Sequence, residues 1–146
     1  MKTNRFLAAL SPKRKIHYII TLLAASAVLY SFTYFQDKPW NVPDAYAKKA
    51  NPVKSDAESL KNGKELWGKH CTSCHGKTGK GDGTKAAQLE TEMNDFTTES
   101  VQKQTDGALF YKIFEGRHDM PTFKKKIPDE TDIWSLVNYA RTLRAK

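Results

Sequence analysis

Two cysteines and a histidine form the clearest chemical pattern in this chain. Cys71 and Cys74 are separated by two residues, and His75 follows the second cysteine directly. Thiols at this spacing can form thioethers with the two vinyl groups of a porphyrin, and the adjacent histidine can ligate the iron, so C-x-x-C-H is the attachment signature of a c-type haem. The sequence therefore predicts one covalent haem c, bound by Cys71 and Cys74, with His75 as an axial ligand of the iron.

Other uses of a cysteine pair have less support in the surrounding sequence. A redox Cys-x-x-Cys normally follows a strand of a βαβ unit, whereas a helical pattern precedes Cys71. A structural zinc site needs four ligands, usually in two pairs, and the chain contains only two cysteines. Haem attachment is therefore the favoured interpretation.

The second axial position of the iron requires a further side chain. The candidates are Met120, Met93, His70 and His118. Met120 is favoured because it follows the helix-ending Gly116 and because Pro121 stiffens the backbone behind it. Its separation from His75 also lets the chain reach the opposite face of the haem. A His/Met pair raises the reduction potential of the iron and leaves no open position for a substrate, which predicts electron transfer without catalytic residues or a small-molecule substrate.

Three helical patterns surround this motif, and the domain shows no strand pattern. Ser55–Glu58 fits a capping box at the start of the first helix, the second begins near Thr105, and the third begins at Pro128. Gly63 lies inside the first helix, where glycine costs about 1 kcal/mol relative to alanine, so we expect another helix to cross closely there. Four glycines between positions 76 and 84 predict backbone that turns close to a flat cofactor.

The first third of the chain has a different composition. Met1–Lys15 is a basic head, Ile16–Phe35 is apolar without a charged residue, and Gln36–Lys54 is a proline-containing linker before the domain at 55–146. About 20 apolar residues can span a bilayer, and a basic cluster in front of them stays in the cytoplasm. The sequence therefore predicts an N-terminal transmembrane helix that anchors the domain on the periplasmic side. From its composition the linker is predicted to be a solvated tether; the alternative is a segment that lies along a partner.

A cleaved secretory signal is the alternative for the same apolar segment. Ala25-Ser26-Ala27 is an A-x-A cleavage site that follows an apolar run of suitable length. The apolar run continues as far as Phe35, which favours the uncleaved anchor. Both interpretations export the domain.

The net charge of +8 is concentrated near the N-terminus. Five basic residues and no acidic residue precede Gln36, which leaves 19 basic and 16 acidic residues in the rest of the chain. The domain also lacks a basic helix and an aromatic-interleaved basic patch, the patterns that are typical of nucleic-acid binding. The sequence therefore predicts no nucleic-acid partner.

Several segments together resemble a bacterial class I mono-haem cytochrome c. They lie between Ser55 and Leu143, and they are Gly63, Trp67, Cys71–Gly76, Asp106–Phe110, Gly116, Met120-Pro121, Phe123, Ile133-Trp134 and Val137–Arg141. The resemblance implies a small all-α fold around one haem, with the N- and C-terminal helices crossing near Gly63 and Tyr139 and the haem edge exposed to partners. Many members have a proline shortly after the haem motif, beside the carbonyl that holds the ligand imidazole. This chain has no proline between His75 and Pro121, so the acceptor for His75 is an open question.

These patterns predict a one-electron carrier of a bacterial respiratory chain, with redox proteins as donor and acceptor, rather than an enzyme. The alternative is a fixed cytochrome c subunit of a larger membrane oxidoreductase, because the apolar segment and the Pro-Trp linker resemble those of such subunits. A haem enzyme or sensor, such as a peroxidase, would need an open sixth position on the iron.

Overall fold

The computed structural model describes residues 11–34 and 39–145, with the backbone alone for residues 28–34. The helices are α1 (Pro12–Tyr34), α2 (Asp44–Ala47), α3 (Ala57–His70), α4 (Thr72–His75), α5 (Glu99–Gln102), α6 (Asp106–Glu115) and α7 (Glu130–Thr142), with a 3-10 turn at Ala86–Gln88. Within the described residues the extended structure is limited to one isolated bridge between Arg117 and Met120. The chain divides after Trp40 into two units, and the all-α domain is the second.

Helix α1 lies where the sequence predicts a transmembrane helix, and that prediction is wrong. Nowhere in the described residues does a helix combine the length and the apolar character that a bilayer span requires. The first turn of α1 contains Lys13, Arg14 and Lys15, and polar groups interrupt the apolar residues that follow. Thr21 and Ser26 both donate their hydroxyl hydrogens to carbonyls one turn earlier. The first ten residues of the basic head and residues 35–38 lie outside the described part of the chain.

Residues 43–54 lie on the surface of the domain, and we refer to them as the strap. The Tyr46 ring packs against Phe110 and Tyr111, with centroid distances of 6.4 and 4.9 Å. The Asn51 side chain donates a hydrogen bond of 2.8 Å to Asn138. The structure thus differs from the solvated tether predicted from composition, because a few aromatic and amide side chains fix a segment whose average composition is polar.

Helices α3 and α7 cross closely at Gly63, as the glycine predicts. A Cβ atom built on Gly63 would lie 2.1 Å from the Ser135 carbonyl oxygen and 2.8 Å from the Tyr139 Cβ. Helix α3 begins one residue later than the sequence pattern suggests. Asp56 is its N-cap, and its carboxylate accepts from the Ser59 backbone at 3.0 Å while the Ser59 hydroxyl accepts from the Asp56 backbone.

The apolar core lies between α6 and α7. The rings of Phe110 and Trp134 stack with a centroid distance of 4.2 Å, and both side chains are almost completely buried. Arg141 of α7 donates hydrogen bonds to the Asp106 carboxylate at the start of α6 and to the backbone carbonyls of Gln102 and Gln104. These contacts join two helices that each contribute one residue, Ile113 or Leu136, to the lining of the cavity described next.

Candidate haem site

The Cys-x-x-Cys-His segment forms the short helix α4 directly after α3. Residues 76–85 follow α4, and we refer to them as the glycine-rich loop. Alternate residues of this loop donate backbone hydrogen bonds to the carbonyls of α4: Gly81 to His75 at 3.0 Å, Gly83 to Cys74 at 3.2 Å, and Lys85 to Ser73 at 2.8 Å. A Cβ on Gly83 would lie 2.4 Å from the Ser73 carbonyl oxygen. The sequence predicts that this loop turns close to a cofactor, and in the structure Gly81 and Gly83 lie against the backbone of the attachment motif itself.

A cavity opens beside α4 and brings the predicted haem residues together. It contains about 620 Å³ of empty space, part of which is open to solvent. Its lining includes Cys71, Cys74, His75 and Met120, together with Met93 and His70. The remaining lining is mainly apolar and consists of Trp67, Leu89, Phe96, Ile113, Asp119, Pro121, Phe123 and Leu136.

Burial shifts the pKa of Cys71 and the pKa of His75. It raises the pKa of the Cys71 thiol to about 12, and the neighbouring Cys74 adds to the shift. Burial lowers the pKa of His75 below its ordinary value. The imidazole is therefore neutral at neutral pH, which is the form that donates a lone pair to a metal.

The His75 ring is held by two aromatic rings. Phe96 lies edge-on to it at a centroid distance of 5.2 Å, and Trp67 lies at 5.8 Å. The Trp67 indole is itself fixed, because its Nε1 donates to the Gly76 carbonyl at 3.0 Å. The buried His75 Nδ1 has no hydrogen-bond partner among the described residues. The described residues therefore supply no acceptor for His75, and its ring is in contact with Trp67 and Phe96 instead.

Met120 is positioned by a tight turn. Arg117 and Met120 exchange two backbone hydrogen bonds of 2.8 and 2.9 Å, and His118 inside the turn has a φ of 52°. Gly116 precedes the turn with a φ of 70°, and a Cβ there would lie 2.5 Å from the Met120 carbonyl oxygen. Of the four candidates for the sixth ligand, Met120, Met93 and His70 line the cavity, whereas His118 is exposed and outside the lining.

Sequence reasoning missed Asp119 as part of this site. Its carboxylate lies on the cavity lining and accepts a hydrogen bond of 2.9 Å from the Thr91 backbone. That backbone bond is the main reason why the pKa of Asp119 lies below its ordinary value, and the Thr91 side chain adds to the effect. The local sequence around Asp119 contains no pattern that predicts a contact with a residue 28 positions away.

Two neighbouring thiols, an adjacent imidazole and a mainly apolar cavity lining fit a covalently bound porphyrin. The sequence model of one protein family, described as cytochrome C oxidase, cbb3-type, subunit III, matches residues 58–139, which is more than half of the chain. The chain belongs to this family. As a cbb3-type subunit III family member it is a cytochrome c with a covalent haem c, and it transfers electrons.

Comparison with solved structures places the same fold in a larger assembly. The chain is similar to a chain of the Kuenenia stuttgartiensis reducing HAO-like protein complex, with a TM-score of 0.58 and 24% sequence identity. The match covers 81% of this chain and 57% of that chain. At this identity the likeness shows the fold. No curated protein sequence matches the chain.

These results confirm the predicted cytochrome c fold and electron transfer. The individual roles of Cys71, Cys74, His75 and Met120 remain predictions, although all four line the cavity.

Proposed function

We propose that this protein carries single electrons through one haem c with His75 and Met120 as the axial ligands. The observation that carries the proposal is the shared cavity, which is lined by both cysteines, His75 and Met120. When bound, the haem supplies one-electron chemistry, because its iron cycles between the ferrous and ferric states. Cys71 and Cys74 hold the group covalently, and the neutral His75 imidazole faces it from the side of Trp67 and Phe96.

The protein environment supports Met120 over Met93 as the sulfur ligand. Met120 lies in a turn that is closed by two backbone hydrogen bonds, so its Cα position is well defined. Met93 lies in a segment without a comparable turn, and its backbone packs against Gly81 of the glycine-rich loop. A ligand that must hold one position in both oxidation states is better supplied by the more rigid segment.

A fixed subunit of an oxidoreductase complex is the second candidate. The family description is that of an oxidase subunit, and the structural match is to a chain of a protein complex. In that role the domain receives an electron from one redox protein and passes it to another without diffusing between them. Both candidates use the same site and both have redox proteins as partners.

We further propose that the domain functions on the periplasmic side of the cytoplasmic membrane. The support is the basic cluster Lys13–Lys15 ahead of an apolar run that contains the A-x-A pattern Ala25-Ser26-Ala27, a combination that is typical of export signals. In this proposal the segment directs export.

The ligand proposal is tested by spectroscopy of the haem-containing protein. The wild-type ferric protein should show the charge-transfer band of a methionine–iron bond, and Met120→Ala should abolish it because the thioether is lost. Met93→Ala is the matched control, since it removes a second cavity methionine and should leave the band intact. If the band survives Met120→Ala, the assigned ligand is wrong; a haem-to-protein ratio other than one would overturn the single haem.

A further inference from the structure

One wall of the cavity has few hydrogen bonds to the rest of the chain. Residues 89–95 form this wall, which contributes Leu89 and Met93 to the lining. Residues 90–95 lack helical structure. Among the described residues, the hydrogen bonds that join this wall to a distant segment all run to the Asp119 carboxylate: the bond from the Thr91 backbone, with further contributions from the Thr91 side chain and the Glu90 backbone. The next long-range bond along the chain joins Phe96 to Gly79.

The Asp119 carboxylate, which accepts the hydrogen bonds from the wall, belongs to the turn that carries Met120. Asp119 is one of the two residues enclosed by the paired hydrogen bonds between Arg117 and Met120. Its Oδ2 accepts from the Thr91 backbone nitrogen at 2.9 Å, a charge-assisted bond of the stronger kind. The position of the carboxylate is therefore coupled to the backbone of its neighbour Met120.

We infer that Asp119 is a positioning residue that ties the 89–95 wall to the Met120 turn and so closes the sixth coordination position of the haem iron against external ligands. The inference rests on the proposed ligation by Met120. Asp119 acts through the two segments that it joins. When the bond is absent, the wall and the turn can separate, and a small ligand can reach the iron in competition with the Met120 thioether.

The test is an optical titration of the ferric, haem-containing protein with imidazole. Asp119→Ala removes the acceptor, and imidazole should then bind severalfold more tightly; the increase is limited because Asp119 is exposed and water competes for its hydrogen bonds. Asp119→Asn keeps a side-chain oxygen and should restore most of the wild-type affinity. Glu92→Gln is the matched control, because Glu92 is an exposed acid on the same wall; its imidazole affinity should equal that of the wild type.

Thr91→Pro removes the donor of the hydrogen bond between Thr91 and Asp119, because proline has no backbone N–H. It should raise the imidazole affinity towards that of Asp119→Ala, because the Glu90 backbone still donates to Asp119. The double variant should bind imidazole no more tightly than Asp119→Ala alone, since that change already removes the acceptor of every bond between the wall and the turn. Thermal unfolding of each variant separates a merely structural role, which would lower stability without changing imidazole affinity.

Two outcomes would overturn the inference: wild-type imidazole affinity in Asp119→Ala, or additive effects of the two single changes. If Asp119→Ala fails to bind haem, Thr91→Pro and Asp119→Asn decide the question in its place. Failure of the proposed ligation can be distinguished from these outcomes, because the wild-type protein would then lack the methionine–iron band before any imidazole is added.

Discussion

The pKa of His70 depends on the positive charge at the edge of the cavity. Burial lowers its pKa first, and the positive charges of Lys69 and Lys126 lower it further. Its ring lies edge-on to Phe123 at 5.9 Å, and the Lys126 ammonium lies 5.6 Å from the centre of the same ring. Positive charge therefore lies next to Cys71 at this edge of the cavity.

The lysine effect on His70 can be measured by NMR titration of the reduced, haem-containing protein. Since a nearby positive charge disfavours the imidazolium form, Lys126→Gln should raise the pKa of His70 towards 6.5, the ordinary histidine value. Lys103→Gln is the control, because Lys103 is exposed and paired with Glu99; it should leave the His70 titration unchanged. If the pKa of His70 is unchanged in Lys126→Gln, Lys126 does not contribute to the positive charge at this edge.

At the scale of elements, the crossing of α3 and α7 depends on the absence of a side chain at Gly63. A methyl group there would overlap the Ser135 carbonyl, so Gly63→Ala should lower the free energy of unfolding by about 1–3 kcal/mol, as overpacking does. Gly68→Ala is a matched control in the same helix, because a Cβ at Gly68 would have no neighbour within 4 Å. It should stabilise the protein by up to about 1 kcal/mol. Chemical denaturation measures both, and a neutral Gly63→Ala would contradict a tight crossing.

At the scale of the whole molecule, the proposed export depends on the basic cluster that precedes the apolar run. In a bacterium that attaches haem c, protease added to spheroplasts should digest the wild-type domain. Reversal of Lys13, Arg14 and Lys15 to glutamate should reduce the amount of haem-bearing, protease-accessible protein, because a positive segment ahead of the apolar run directs export. Lys61→Glu reverses a charge within the domain and is the control. A haem-bearing domain that is protected from the protease would contradict the periplasmic location.

Local patterns predicted the parts of the structure in which interacting residues are neighbours in the chain. The attachment motif lies within five consecutive residues. The capping box of α3 joins residues three positions apart, and the pattern predicted its type but placed it one residue early, at Ser55 instead of Asp56. The segment that carries Met120 is also local, between Gly116 and Pro121, and the role of Met120 as a ligand stays a prediction. The predicted transmembrane helix, by contrast, rested on average apolarity and is contradicted in the described residues.

The sequence by itself determined the chemistry of this protein, because two cysteines and a histidine at fixed spacing specify a cofactor without reference to the rest of the chain. Only the tertiary structure decided how that chemistry is enclosed. The bond between Asp119 and Thr91 spans 28 positions, and the bond between Asn51 and Asn138 spans 87. Such contacts depend on where the packed helices place distant backbone, and no local residue pattern encodes that placement.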